Sequence, residues 1–268
     1  MEQLPTLDAH CHISHQRAAD ELAGTGFALA GTLALDEAEY AIKHQHPQIL
    51  WGVGCHPRFH KAQEDFNQNK FFELLQQTPI VSEVGLDTGS RVPLEVQTKI
   101  FREILELVAE HPRYTSIHSV AATRQVLDAL KQTPIIAPVL HWWTGNVPET
   151  REAVALGCYF SIHSQIARNS KFRLHVPPER ILVESDHGYN DPPAAIPCRL
   201  EWVEYLVGQQ YKISNTAVRR FNWRNFGRIG ELTGCLQMLP PAFLDAIEAA
   251  RQALAGDEQP YQAQLPLN

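Results

Sequence analysis

A chain of 268 residues with 44% hydrophobic content is long enough to enclose a substantial core in one barrel-sized domain. Its formal net charge of −7 argues against a protein that coats nucleic acid through a broad basic surface, yet leaves room for an enzyme that grips one or two phosphates through metal ions. The five cysteines are odd in number and form no C-x-x-C pair, no apolar stretch is long enough to cross a bilayer, and residues 1–6 carry no signal-peptide pattern. A soluble cytoplasmic enzyme with reduced thiols is therefore expected.

Short apolar, β-branched runs at 7–12, 27–35, 49–56, 79–87, 114–118, 135–142, 158–163 and 180–186 predict strands. Stretches with helical apolar spacing at 36–46, 65–77, 96–111, 121–132 and 147–156 lie between them. Strand and helix alternate, which calls for a parallel sheet, and about eight strands is the number a closed (β/α)8 TIM barrel requires. Helical patterns resume at 200–211, 215–231 and 241–255, and from Gly256 the polar, proline-bearing end reads as a frayed tail. The expected organisation is one domain over 1–255 and a flexible tail over 256–268.

The first run, Leu7-Asp8-Ala9-His10-Cys11-His12, places His10 and His12 on the same side of a strand, with Cys11 alternating away. Glu83 lies late in the fourth run, His118 ends the fifth, His141 the sixth and Asp186 the eighth. In a parallel barrel all of these converge on the C-terminal mouth, where active sites are built. Four imidazoles and two carboxylates suit one or two divalent transition ions. Any one such residue is more often structural than a ligand; it is the convergence that points to metal. His56 and His163 end the third and seventh runs: the first is a candidate for orienting substrate, the second equally a bystander. His15, His44, His46, His60, His111 and His175 lie in or beside polar helical stretches and read as surface or loop residues.

These pieces carry a resemblance. LDAHCH at the start, GVGCHP around His56, VSEVGLD around Glu83, SIHS around His118, VLHWWTGN around His141 and ILVESD ending in Asp186 resemble the TatD-related metal-dependent deoxyribonuclease family, a (β/α)8 barrel group of the amidohydrolase-like superfamily. Gln97 and Phe101 sit where the family sets them, Asn222 or Asn225 before Phe226 takes its late asparagine position, and the resemblance covers roughly residues 7–230. It implies that His10, His12 and Asp186 hold one divalent ion, that His118 and His141 hold a second, and that Glu83 bridges the two. Mg2+, Mn2+ and Zn2+ are the candidate ions. A water between the ions, its pKa lowered, would attack phosphorus in line, with Asp186 orienting or deprotonating it. The activity implied is a 3'-5' exodeoxyribonuclease acting on DNA ends, with RNA as a further substrate; the polarity comes from the resemblance alone.

The departures bear on substrate. Ser14 stands where the family has Asp, Val120 where it has Arg, and His187-Gly188 follow the last carboxylate where it favours a small residue and proline. An arginine fork is a strong phosphate clamp, and Arg58, Arg124 and His187 are the candidates to replace it. Trp142, Trp143 and Tyr189 flank the ligands and are placed to stack on unpaired bases, although one tryptophan is equally expected under the following helix. Such a site fits a single-stranded or frayed end better than a duplex. Arg219, Arg220, Arg224 and Arg228 read as a solvated face. The alternative reading is an amidohydrolase-like enzyme for an amide, lactone or phosphotriester, in which a carboxylated lysine commonly bridges the metals; the fourth run has Glu83 and no lysine. A partner-dependent subunit of a DNA-processing or defence complex is the third.

Overall fold

The alternation in the sequence becomes a ring of parallel strands. The computed structural model describes residues 4–14, 26–44, 46–188 and 198–252. Among these, the strands are β1 (Leu7–Cys11), β2 (Phe27–Ala30), β3 (Ile49–Trp51), β4 (Ile80–Gly85), β5 (Tyr114–His118), β6 (Val139–His141), β7 (Tyr159–Ile162) and β8 (Ile181–Val183). β1 to β3 pair in parallel order, as do β4 to β8. Two seams join these arcs. At one, the Val53 N–H donates to Ile80 O at 3.1 Å and the Ser82 N–H to Val53 O at 2.9 Å. At the other, the Asp186 N–H donates to His10 O at 3.0 Å and the His12 N–H to His187 O at 2.6 Å. The eight-stranded barrel is the expected one, and tertiary contacts hold residues 10, 12 and 186 at its closing seam.

The helices are α1 (Leu35–Lys43), α2 (His60–Glu64), α3 (Gln68–Leu75), α4 (Leu94–Glu110), α5 (Thr123–Gln132), α6 (Val147–Ala155), α7 (Lys171–His175), α8 (Glu201–Tyr211), α9 (Asn215–Thr233) and α10 (Pro241–Gln252). The expected helix at 65–77 is α3, which starts at Gln68 because the Asn67 side chain accepts from the Lys70 N–H and caps it; the short α2 lies ahead of it, at 60–64. The second strand is shorter than expected, since Leu35 opens α1. Tyr189 and the tail from 256 lie outside the described residues, as does His15.

The core has two layers. Leu7, Phe27, Ile80, Tyr114, Val139 and Tyr159, each the first residue of its strand, face inward and pack with Trp223 and Phe226 of α9 and with Phe243 and Ile247 of α10. These two helices thus plug the N-terminal end of the barrel and leave the other end for chemistry. Ala28, Val81, Ile117, Leu140, Phe160 and Val183 face outward against the helix ring. Asn222 clips α9 to the closing seam: its amide donates to Leu7 O at 2.6 Å and accepts from the Val183 N–H at 3.3 Å. Asn225 donates to Pro178 O and Ile181 O, each at 2.7 Å. The arginines of α9 are not one solvated face. Arg219 is half-buried and forks onto Glu204 at 2.7 and 2.6 Å, and Arg220 is buried, because α9 packs into the barrel floor instead of lying on its surface.

Two strands depart from simple alternation where the ligands lie. Between Asp8 and Cys11, β1 spends three steps against two on β2; between Val81 and Val84, β4 does the same against β5. Each is a β-bulge, an extra residue that re-aims the side chains beyond it. Leu7 and Ala9 point into the barrel, yet Cys11 joins the outer layer and His10 turns inward. Likewise Ile80 points in and Val84 out, leaving Glu83 facing the centre. Asp8 shares the His10 side by strict alternation, but the bulge sends it to the seam, where it accepts from the Ser185 N–H, the Ser185 hydroxyl and the Cys198 N–H.

Candidate metal centre

Glu83 is the hub. Its Oε2 lies 2.7 Å from His12 Nε2 and 3.5 Å from His10 Nε2; its Oε1 lies 2.6 Å from His118 Nδ1, 3.1 Å from His56 Nε2 and 3.3 Å from His141 Nε2. Asp186 Oδ1 stands 3.7 Å from His10 Nε2 and 3.8 Å from His12 Nε2. The structure therefore brings together all six expected ligands, His10, His12, Glu83, His118, His141 and Asp186, with His56 beside them. Donor atoms within 4.8 Å of one another group as His10, His12 and Glu83; His10, His141 and Asp186; and His56, Glu83 and His118. These distances place His141 beside His10, whose ring it stacks on at 4.0 Å, whereas the resemblance pairs it with His118.

The backbone is strained at the same place. Glu83 (φ 35°), Trp142 (φ 42°) and Asp186 (φ 48°) all lie in the left-handed region that side chains with a Cβ rarely occupy. Two glycines permit close approaches around them. A Cβ on Gly85 (φ 143°) would meet His118 O at 2.1 Å, and one on Gly188 (φ 98°) would meet His12 O at 2.5 Å.

Partners behind the rings determine which nitrogen faces the centre. The His12 Nδ1–H donates to Gly31 O at 3.3 Å, and the His141 Nδ1–H to Glu184 Oε1 at 3.2 Å, so each presents an Nε2 lone pair inward. His10 Nδ1 pairs with the Ser116 hydroxyl at 2.9 Å. His118 is reversed: its Nε2–H donates to Asp87 Oδ2 at 3.0 Å, leaving Nδ1 toward Glu83. His56 differs in kind. Its Nδ1 accepts the Arg58 N–H at 3.0 Å, so the proton sits on Nε2 and the ring is a hydrogen-bond donor toward Glu83.

Asp87 and Glu184 are the groups that sequence reading missed. Glu184 is fully buried and accepts from His141, from the Trp142 N–H at 2.9 Å and from the Ser161 hydroxyl. Asp87 is held by the Gly89 N–H at 2.7 Å, while Gln97 brackets its backbone, donating to Asp87 O and accepting from the Asp87 N–H. A signal existed for Glu184, which shares the Asp186 face at a spacing of two.

Charge coupling arises from this crowding. Burial pushes His10 down to about 4, with the neighbouring His141 adding to the effect, so the ring is neutral and able to coordinate. Burial raises Asp186 to about 7, and Glu83 and Glu184 push the same way while His141 opposes. Burial works against ionisation of Glu83 too, but the rings of His56 and His12 outweigh it and hold the carboxyl well below its usual range.

The structure also tests whether these residues fit a metal. His10 Nε2 and Glu83 Oε2 are buried without a hydrogen-bond partner, and they face each other across the centre. Buried polar atoms are almost always satisfied, so orphans within an imidazole and carboxylate cluster match the donor set of a divalent ion.

The residues expected to meet substrate have diverse placements. Trp142 is half-buried and stacks on His163, ring centroids 4.0 Å apart at 27°. Trp143 is the buried one, packed under α6 with its indole N–H on the Thr150 hydroxyl at 2.9 Å. His187 is buried beside His12 and is held through its backbone. Val120 is 41% exposed. Arg124 is occupied by Asp128 and Glu152 on the helix surface, which removes it as a phosphate clamp.

A barrel floor sealed by helices, with a mouth of buried imidazoles and carboxylates, defines a metal-dependent hydrolase. A family model described as TatD related DNase matches residues 7–229, and the chain belongs to that family, as a distant member. A Bacillus subtilis protein named uncharacterized metal-dependent hydrolase YabD is 26% identical over 154 residues, which spans 54% of this chain and 60% of that one. A protein of Erwinia tasmaniensis named 3'-5' ssDNA/RNA exonuclease TatD is 28% identical over 182 residues, 63% of this chain and 70% of that one. Among solved structures, YJJV, a TatD homolog from Escherichia coli K12, superimposes with a TM-score of 0.73 over 84% of this chain and 97% of its own, at 17% identity. A TatD family hydrolase from Entamoeba histolytica gives 0.69 over 85% and 99%, at 12% identity. No helix among the described residues is long and apolar enough to cross a membrane.

Proposed function

We propose that this hydrolase is a 3'-5' exonuclease acting on single-stranded or frayed DNA ends, with RNA as a second substrate. The observation that carries the reading is the pair of orphaned, buried atoms, His10 Nε2 and Glu83 Oε2, at the centre of six convergent donors. His10, His12, His118, His141, Glu83 and Asp186 would hold two divalent ions, Mg2+, Mn2+ or Zn2+, with Glu83 shared between them. Such ions supply positive charge against a phosphoryl oxygen and lower the pKa of a nearby water.

The protein's own groups then have distinct tasks. Asp186, whose Oδ1 stands 3.7 Å from His10 Nε2 and 3.8 Å from His12 Nε2, would as a carboxylate take a proton from a water held at the centre. The His56 Nε2–H, aimed inward, is a donor for a substrate oxygen. Trp142, stacked on His163, offers a flat apolar face for an unpaired base, and His187 closes the mouth beside His12. The name of the Erwinia relative supports the nucleic-acid substrate and the polarity.

The test is release of nucleotides from end-labelled single-stranded and duplex DNA by metal-stripped protein, with Mg2+, Mn2+ or Zn2+ added back. Release that requires metal, begins at the 3' end and disappears in Glu83→Ala is the expected result. No release with any ion, while calorimetry still records metal binding, would overturn the nuclease reading.

A further inference from the structure

Arg58 lies in the turn that follows β3, two residues after His56, and its two ends do different things. Its N–H sets the His56 tautomer, while its guanidinium Nε lies 3.5 Å from Asp87 Oδ2, the oxygen that also receives His118 Nε2. Asp87 is buried; the Arg58 side chain is 47% exposed. Among the described residues, no other arginine or lysine is ion-paired with a carboxylate that touches the cluster. No hydrogen bond among them engages the two terminal nitrogens of Arg58, and its approach to Asp87 is through Nε. An exposed pair of this kind contributes little to stability, so the guanidinium is tethered at one edge without being locked. Its outer edge is a flat, charged fork that matches two oxygens of a phosphate.

We propose that Arg58 is the anion clamp of this site, receiving the non-bridging oxygens of a substrate phosphate on its outer edge while Asp87 holds the inner one. This rests on the phosphodiesterase reading and narrows it: the ligand is a phosphate-bearing anion entering on the β3 side of the mouth. A neutral ester or amide gains nothing from the clamp. Arg58 acts on affinity, because its fork engages the phosphate before and during the reaction alike.

The experiment compares the metal-loaded full chain with Arg58→Ala and Arg58→Lys on single-stranded DNA across a salt series. The loss in Arg58→Ala falls on KM, which rises by about 10- to 100-fold for one charge-assisted contact, with kcat changing by less than about threefold. The log–log dependence of affinity on salt becomes shallower by about 0.7 for one lost phosphate contact, and Arg58→Lys restores the slope while recovering only part of the affinity. An unchanged KM and slope, or a fall in kcat that tracks lost metal content, would overturn the clamp. Calorimetric titration with inorganic phosphate separates this from the nuclease reading. Phosphate binding at least tenfold weaker in Arg58→Ala upholds the clamp even if no nucleic acid is cut; equal binding refutes it whatever the activity.

Discussion

Replacing Glu184 tests whether the metal centre is built from its outer partners as well as its ligands. Its Oε1 accepts from His141 Nδ1 at 3.2 Å and the Trp142 N–H at 2.9 Å, and its Oε2 accepts from the Ser161 hydroxyl; Glu184, His141 and Ser161 are all buried. Glu184→Gln keeps the volume and leaves an oxygen for His141 and Trp142, while the Ser161 hydroxyl turns to accept from the new amide. What disappears is the charge behind His141. Charge-assisted hydrogen bonds are roughly twice as strong as neutral ones, so about 1 kcal/mol is lost at each of the two retained donors. A total of about 2 kcal/mol corresponds to a metal affinity weaker by roughly 30-fold, within the range expected for a group that orients a ligand. Glu184→Ala strands all three donors, costs about 3–5 kcal/mol and lowers the melting temperature by roughly 10 °C in a chain of this size. Calorimetry on metal-stripped protein reads the first effect and thermal melting the second. Wild-type metal affinity in Glu184→Gln would refute the assignment of Glu184 as the group that orients His141.

Two further outcomes are expected. Trp142→Ala raises KM for single-stranded DNA by about 5- to 100-fold, the value of one base–aromatic stack, and Trp142→Phe recovers most of it; equal KM values in steady-state assays would remove Trp142 from the substrate face. Metal affinity depends on pH through Asp186, whose carboxyl near 7 must lose its proton to coordinate. The sign is set by that raised value: affinity climbs as the pH rises through 7, and the carboxylates beside His141, His12 and His118, which hold those imidazoles protonated above their usual range, extend the climb to higher pH. His10, depressed to about 4, adds no dependence above pH 5. Titrations in buffers of different ionisation enthalpy should show proton release at pH 6 that diminishes as the pH rises, and a flat affinity from pH 6 to pH 8 would contradict the scheme.

Much of the site was legible because a parallel barrel writes itself into local pattern. Each strand is a short apolar run, each run ends at the same mouth, and so His118 and His141 are found at strand ends by counting. The tryptophans show the limit of such counting. Trp142 and Trp143 are adjacent in sequence, but only the fold decides that the second packs under α6 and the first meets His163. His56, singled out only as a candidate for orienting substrate, owes its tautomer to the Arg58 backbone, which no spacing reveals.

By itself the sequence determined the order and number of the strands, their parallel sense and the six side chains that meet at the centre, because side-chain period is a property of each segment's own backbone. The tertiary structure decided how those side chains are aimed. Bulges in β1 and β4 overrule strict alternation and turn His10 and Glu83 inward, and Asp8 finds its partner in Ser185, 177 residues away. His10 meets Ser116 106 residues on. Such contacts exist only once the ring has closed, since they depend on which strands become neighbours and not on the residues adjacent in the chain.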